Sequence, residues 1–255
     1  MKSNFSIPGF LMFLLTMICI AFIIKGLHAA LKRTGWEKAR RQRIFIISIV
    51  AIVLWAALLS VLSFQKFFSD FSNLPPRPAL AILIPLPIVL LIAFSKKGTQ
   101  LLQSIPAHWL VGMQSFRIGV EILLLLAFIA DKLPVQMTFE GRNFDIITGL
   151  LALPIGYLLA RKKTYALKLA VIYNFIGMLL LINILVIAVL SMPTSIRYFM
   201  NEPANTFVAE FPFILLPGVL VPLAYTLHIF SLRQLLVRRD IRQPIDLKDK
   251  SIIHA

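Results

Sequence analysis

The sequence predicts an all-α membrane protein, a bundle of seven transmembrane helices with the N-terminus outside and the C-terminus in the cytoplasm. Three observations lead to this prediction. The chain of 255 residues is 59% hydrophobic, above the roughly 45–50% of soluble domains. Its apolar residues are concentrated in blocks of about twenty, the length that crosses a bilayer as a helix. Lys and Arg residues cluster in alternate connections between the blocks, as is typical of cytoplasmic loops.

Seven apolar blocks follow one another with short connections. They span residues 8–24, 44–64, 79–94, 107–130, 144–160, 168–191 and 211–237. The third and fifth blocks are short and contain prolines, so alone they could be mistaken for buried helices of a soluble protein. We therefore expect residues 1–237 to form one transmembrane domain and residues 238–255 a polar cytoplasmic tail.

The first block has an alternative interpretation as a cleaved signal peptide. The residues Leu27, His28 and Ala29 would form the small-residue exit from such a peptide. Against this, only Lys2 precedes the apolar run, and Lys25 interrupts the approach to the cleavage site. We favour a retained helix, and cleavage would leave six spans with the same orientation.

The orientation follows from the distribution of positive charge. Nineteen of the 26 Lys and Arg residues lie in the connections and the tail on one side, six lie on the other, and Arg117 lies inside a span. This bias places the tail in the cytoplasm. The anionic headgroups of the lipid bilayer are the expected partners of these basic loops.

The net charge of +15 would suggest nucleic-acid binding in a soluble protein. Here the basic residues are explained by orientation, and no nucleic-acid-binding module is present, so we expect no nucleic-acid partner. Cys19 is the single cysteine, which excludes an intramolecular disulfide. Clustered Cys and His spacing is absent, so no metal site is predicted, and the sequence identifies no cofactor.

Three polar residues interrupt the fourth span. Gln114, Arg117 and Glu121 are three and four residues apart, so they form one stripe on a helix face. A charge in hydrocarbon costs about 2.5–3.5 kcal/mol on insertion scales, so such residues face a protein interior or a water-filled cavity. The stripe is either a solute, ion or proton site, or a structural pair in which Glu121 neutralises Arg117 along the helix.

Two predicted outer segments, 131–145 and 192–210, combine aromatic, acidic and amide residues. One interpretation is a vestibule rim that binds a solute before it enters the bundle. The other is re-entrant packing, in which the polar residues satisfy exposed backbone groups and each other. The candidate ligands of the rim are Glu140, Arg142, Asp145 and Glu202.

Amides and imidazoles inside the spans are weaker candidates. Asn174 and Asn183 are nine residues apart and point to nearly opposite faces of a helix, so at most one lines a cavity. Interhelical hydrogen bonding is their ordinary role. His108 and His228 fall near the predicted cytoplasmic ends of their spans, where they would ligate a metal or haem together or form interfacial hydrogen bonds.

The seventh span contains three prolines at intervals of five, Pro212, Pro217 and Pro222, with Gly218 beside one of them. Each proline frees a backbone carbonyl and favours a kink. Freed carbonyls at membrane depth must be buried or line a cavity. The pattern suggests a discontinuous helix that coordinates a cation, although prolines are also common in ordinary membrane helices.

Two stretches, EGRNFDIITGL and FMNEPANTFVAEFPF, resemble an uncharacterised family of bacterial multi-pass inner-membrane proteins with no assigned activity. The resemblance covers a small part of the chain. It implies a location in a bacterial inner membrane and nothing about chemistry.

These observations favour a protein that binds or passes a small polar or ionic solute through a polar site inside the bundle. The solute would enter at the vestibule, and the kinked seventh helix would move. An intramembrane enzyme acting on a lipid or isoprenoid substrate at the outer face, with Glu121 or Glu140 as acid or base, is an alternative. A non-catalytic subunit or assembly factor, docking a partner helix along residues 112–119, is another. The motifs HExxH, GxSxG and GxxxxGK[ST] are absent, so enzyme status stays open.

Overall fold

A computed structural model describes residues 7–242 of the protein, with side chains through Val237. Within this part of the chain, α-helices are joined by short 3-10 turns and loops, and no β-strand is present. Six helices are long and apolar enough to cross a membrane by length and composition. The protein is therefore a multi-pass membrane protein of the all-α class.

Eight helices build the described chain, and each predicted span overlaps one of them. They are α1 (Ile7–Arg33), α2 (Lys38–Phe64), α3 (Arg77–Phe94), α4 (Lys96–Ser104), α5 (Ala107–Ile129), α6 (Ile146–Ala160), α7 (Ala166–Leu190) and α8 (Leu216–Val237). Helical structure continues from α8 to Arg242. The predicted tail therefore begins inside a helix, and from residue 243 onward it lies outside the described residues.

The helix α6 is the predicted span that falls short of a membrane-crossing length. Its 15 residues extend about 22 Å at 1.5 Å per residue, less than the roughly 30 Å of a hydrocarbon core. The described chain thus has six membrane-length helices and one shorter apolar helix, where the sequence predicts seven spans.

The basic connection 25–43 is mostly helical, contrary to the predicted loop. The helix α1 continues to Arg33 and α2 begins at Lys38, which leaves only residues 34–37 between them. Hydropathy falls where Lys and Arg begin, but these residues are good helix formers. The two helices therefore extend beyond their apolar blocks.

The helix α4 occupies a connection that the sequence predicts as a loop. Ser95 caps its N-terminus by accepting a hydrogen bond from the Gly98 backbone N–H at 2.9 Å. The last turn of α3 passes close by, since a Cβ added at Gly98 would lie 1.7 Å from the Ile92 carbonyl oxygen. A glycine is required for this sharp return from α3 into α4.

The prolines of the last span divide it. Residues 211–214 form turns, Leu216–Leu220 is a π-helical segment, and regular α-helix follows from Val221. Pro222 has no N–H, so the Gly218 carbonyl loses its helical donor. The Trp55 indole N–H of α2 donates to this carbonyl at 2.8 Å. The carbonyl at Gly218 thus has a protein partner.

Burial identifies the central helices. Half of the most apolar window of α5 is buried, as is 61% of that of α8, whereas only 6% of the α2 window is buried. The helix α5 packs against α1, α6 and α8, and α7 packs against α6 and α8. The polar residues of α5 are therefore enclosed by several helices, and α2 lies at the periphery.

Candidate functional site

Arg117 is the centre of a buried polar network. Its side chain is 2% exposed, and its Nε donates to the Asp145 carboxylate at 2.6 Å, while Nη2 forms an ion pair with the same oxygen. Asp145 is the residue before α6. The buried charge of α5 is therefore neutralised from the neighbouring helix.

A second branch of the network leads from Arg117 to α7 and α8. Arg117 Nη1 lies 3.0 Å from His228 Nε2. Because arginine only donates, this imidazole nitrogen must accept, and the proton is on Nδ1. Nδ1 then donates to Asn174 Oδ1 at 2.9 Å, and Asn174 Nδ2 donates to Ser231 Oγ at 2.9 Å. The chain of hydrogen bonds joins α5, α6, α7 and α8.

Glu121 is bound separately from Arg117. The Asn143 amide donates to both carboxyl oxygens of Glu121, at 2.8 and 2.7 Å, and Asn143 Oδ1 accepts from the Asp145 backbone N–H at 3.0 Å. Among the described residues, Glu121 forms no ion pair. The direct Arg117–Glu121 ion pair, one of the two interpretations of the stripe, is therefore not formed, and Arg117 contacts Asp145 and His228 instead.

Gln114 completes the predicted stripe and is fully buried. It lies on a 3-10 turn at Met113–Ser115, within α5. Its Nε2 donates to the Ala224 carbonyl of α8 at 3.0 Å, and its Oε1 has no hydrogen-bond partner among the described residues. All three stripe residues therefore face the interior of the bundle, but they have different partners.

A cavity of about 80 Å³ touches the network. Arg117, Glu121 and Asp145 form its polar part, and the rest of its wall is apolar. The apolar wall comes from α3, α5, α7 and α8, including Ile82 and Leu220. A space of this size accepts a few water molecules or a small organic group.

The four residues predicted to form a vestibule rim differ in burial and in their partners. Asp145 is buried in the network, whereas Glu140 and Arg142 are exposed. The Arg142 guanidinium lies over the Phe199 ring at 5.2 Å. Glu202 is exposed and pairs with Arg197 at 3.0 Å. Asp145 is thus the rim candidate that joins the internal polar residues.

The connection 131–145 packs into the bundle. Leu133, Thr138 and Asn143 are fully buried. A Cβ added at Gly141 would lie 2.2 Å from the Val135 carbonyl oxygen, so the loop closes tightly on itself. This geometry corresponds to the re-entrant packing that the sequence left open, and it carries Asn143 to Glu121.

Hydrogen bonds from Arg197 and the Ala204 backbone to Glu202 hold the pKa of that carboxyl below its usual value. Asp70 has a lowered pKa as well, because the Ser72 hydroxyl and backbone donate to it. Both are exposed surface arrangements with local partners. Neither residue belongs to the buried network.

Sequence reasoning missed Asn143 and underrated His228. His228 is fully buried and bonded to Arg117, so neither a metal ligand nor an interfacial position describes it. It lies well inside the last helix, which continues to Arg242 beyond the predicted span. Asn174 and Asn183 point apart as predicted, and Asn183 donates to the Arg142 carbonyl at 3.0 Å.

Within residues 7–237, no group of three or more His, Cys, Asp or Glu side chains is placed to hold a metal ion. The polar network combines carboxylates with a guanidinium, an imidazole and amides. These groups bind protons, ions and polar organic groups by charge and hydrogen bonding.

Comparison with known proteins gives one match. A family model described as "Domain of unknown function (DUF8737)" matches residues 76–236. The matched segment contains every member of the buried network and leaves α1 and α2 outside. No curated protein matches the chain, and no solved structure matches it.

Proposed function

The chain belongs to the DUF8737 family of domains of unknown function, and we propose that it binds a small solute, with an apolar body and one cationic or hydrogen-bonding group, in the cavity beside Glu121. The solute then passes through the bundle. Two observations support it: the cavity itself, and the fact that Asp145 is paired with Arg117 whereas Glu121 has no counter-ion among the described residues.

Glu121 carries the proposal. Its side chain is 1% exposed, and Asn143 supplies neutral hydrogen bonds but no charge. A carboxylate buried without a counter-ion is costly. The group is therefore either protonated or balanced by a cation in the adjoining cavity. If Glu121 can lose its proton when a cation enters, the cavity is a cation-binding site.

Asp145 has a different role in this proposal. Its charge is used by Arg117, so it does not compete with Glu121 for the solute. The Asp145–Arg117 pair instead fixes the position of α6 against α5. The His228 and Asn174 branch holds the guanidinium away from Glu121 and keeps that carboxyl group available.

The wall of the cavity limits the solute. Apolar side chains of α3, α7 and α8 surround the polar part, so a fully hydrated inorganic ion would lose its water without replacement ligands. A small alkylammonium ion matches both surfaces. Its ammonium group would face Glu121, and its alkyl group would contact the apolar wall.

Passage requires an element that moves, and we assign this role to α8. Its π-helical segment borders the cavity through Leu216, Pro217 and Leu220. π-helical segments depart from the regular α-helical hydrogen-bond ladder and are frequent at functional sites. A change at this segment would alter the cavity while the α-helix after Val221 stays intact.

The proposed topology has seven spans, with α6 as the shortest, the N-terminus outside and the C-terminus in the cytoplasm. The positive-charge bias of the connections supports this orientation. The proposed location is a bacterial inner membrane, where the basic cytoplasmic residues meet anionic headgroups.

Thermal unfolding of the purified protein with defined probes tests the binding site. Methylammonium, butylammonium and neutral butanol are added separately to the detergent-solubilised chain. We expect butylammonium to raise the melting temperature with increasing concentration, because a ligand that binds only the folded state stabilises it.

The matched variants are Glu121→Gln and Glu140→Gln, which remove one carboxylate from the cavity and one from an exposed loop. The butylammonium response should be lost in the first and kept in the second. An undiminished response in Glu121→Gln would overturn the proposed site.

A further inference from the structure

A second, larger hollow lies between α1 and α5. It has a volume of about 630 Å³, within the range of small-molecule sites. From this groove we infer that the protein binds an anionic phospholipid there, with one acyl chain between the two helices and the phosphate at Lys25. This inference is independent of the solute site beside Glu121.

The walls of the groove are suited to an acyl chain. Leu15, Ile18 and Phe22 line it from α1, and Met113 and Phe116 line it from α5. The groove is therefore apolar over most of its length. An acyl chain bound there would contact these side chains without burying unpaired polar groups.

Glycine creates the depth of the groove. A Cβ added at Gly112, in the α5 wall, would meet no atom within 4 Å. The space is open because glycine has no side chain, and a larger residue at this position would project into the groove. A Cβ at Gly112 has free space around it, so Gly112→Leu is the substitution that would fill the groove.

The two helices are in contact at both ends of the groove. At one end the Gly26 backbone faces Trp109, whose ring would lie 3.7 Å from an added Cβ. Near the other end Leu15 lies 3.3 Å from the Cβ position of Gly119. A continuous helix, about 10–12 Å wide with its side chains, would have to separate these contacts. A flexible acyl chain fits between them.

The two basic side chains of the groove lie at the Gly26 end, and Ser115 lies further along it. Lys25 and His108 line this end beside Trp109, a residue type common at membrane interfaces. Lys25 is 18 residues after Ile7, about 27 Å along α1, close to one hydrocarbon thickness. Its ammonium group forms no ion pair with any described residue. A phosphate at this depth complements the free charge.

Native mass spectrometry of the full chain tests the inference. The protein is released from vesicles of equal parts phosphatidylglycerol and phosphatidylcholine, and the retained lipids are counted. We expect one phosphatidylglycerol to remain bound in preference to phosphatidylcholine. Lys25→Gln should reduce that preference about fivefold, the effect of one lysine near anionic lipid. Gly112→Leu should remove the retained lipid of either kind.

Two control variants match these changes. Lys32→Gln removes another exposed lysine of α1, and Ala51→Leu places a leucine at an exposed position of α2. Both should retain the lipid as the natural chain does. Equal retention in Gly112→Leu and Ala51→Leu would overturn the inference. A dimer that Gly112→Leu dissociates, with no bound lipid, would also overturn it and assign the groove to a second copy of the chain.

Discussion

Arg117 of α5 forms its ion pair with Asp145, which is 28 residues further along the chain, and not with Glu121, one turn away on its own helix. The Nη1 atom of the same guanidinium group donates to His228 of α8. Within the described part of the chain, this arrangement leaves Glu121 with neutral hydrogen bonds from Asn143 only. The proposed binding of a solute at Glu121 depends on Arg117 being paired with Asp145 instead.

Asp145→Asn should destabilise the protein strongly, by about 3–5 kcal/mol, because it leaves the buried Arg117 without a counter-ion. Unfolding of the detergent-solubilised chain by SDS measures the loss. Asp131→Asn, at an exposed position, should have little effect. Adding Arg117→Met to Asp145→Asn should recover much of the stability, and a double variant as weak as the single one would contradict the pairing.

Trp55→Phe should cost about 1–3 kcal/mol, because the Gly218 carbonyl would be left without a donor. The same substitution at Trp36, whose indole donates to the exposed Gln100 side chain, is the matched control. The cost should shrink when Pro222→Ala restores a backbone N–H for the carbonyl. Equal costs of Trp55→Phe with and without Pro222→Ala would show that Trp55 does not compensate for the proline.

The apolar helices were predictable because hydropathy alone identifies long apolar blocks, whereas the polar helix α4 was predicted as a loop. The sequence also predicted that Gln114, Arg117 and Glu121 face inward, since helical spacing determines a shared face. The Asp145 partner could not be deduced, because helical geometry constrains neighbours at three or four residues and not across a loop. The path of residues 131–145 depends on tertiary packing, as shown by the buried Asn143.

The helix ends were predictable only where the apolar block and the helix end at the same residue. An apolar block ends where Lys and Arg begin, but these residues are good helix formers. The helices α1 and α2 therefore extend beyond their apolar blocks. The Glu202–Arg197 ion pair lies within one loop, five residues apart, and could have been found from the sequence. Glu202 pairs with Arg197 in its own loop, a nearer partner than the other predicted rim residues.

The proposed topology can be tested by thiol labelling in intact cells. With Cys19 replaced by Ala, a cysteine introduced by Glu140→Cys should react with an impermeant reagent from outside, and one introduced by Lys163→Cys should not. Both positions are exposed. Gly141 is unsuitable because a Cβ would clash there, and Lys162 because its φ is 54°. The reverse labelling pattern would contradict the orientation.

Glu202 should titrate below 4.5, the usual pKa of a glutamate, because Arg197 donates to its charged form. The ion pair is complete above pH 4.5 and is lost as the pH falls through the lowered pKa. Carbon NMR of labelled glutamate in the solubilised protein measures the midpoint. Arg197→Gln should raise it, and an unchanged midpoint would mean that the pair does not form in solution.

Equilibrium binding of radiolabelled butylammonium to the purified, folded chain tests the central claim most directly. We predict saturable binding of a single ion per chain, lost in Glu121→Gln and retained in Glu140→Gln, with both variants shown to be folded by their helical content. Competition by excess protons should weaken binding to the natural chain, since both occupy the same carboxyl group. Saturable binding of equal strength in Glu121→Gln, or none in the natural chain, would contradict the claim that Glu121 binds the solute.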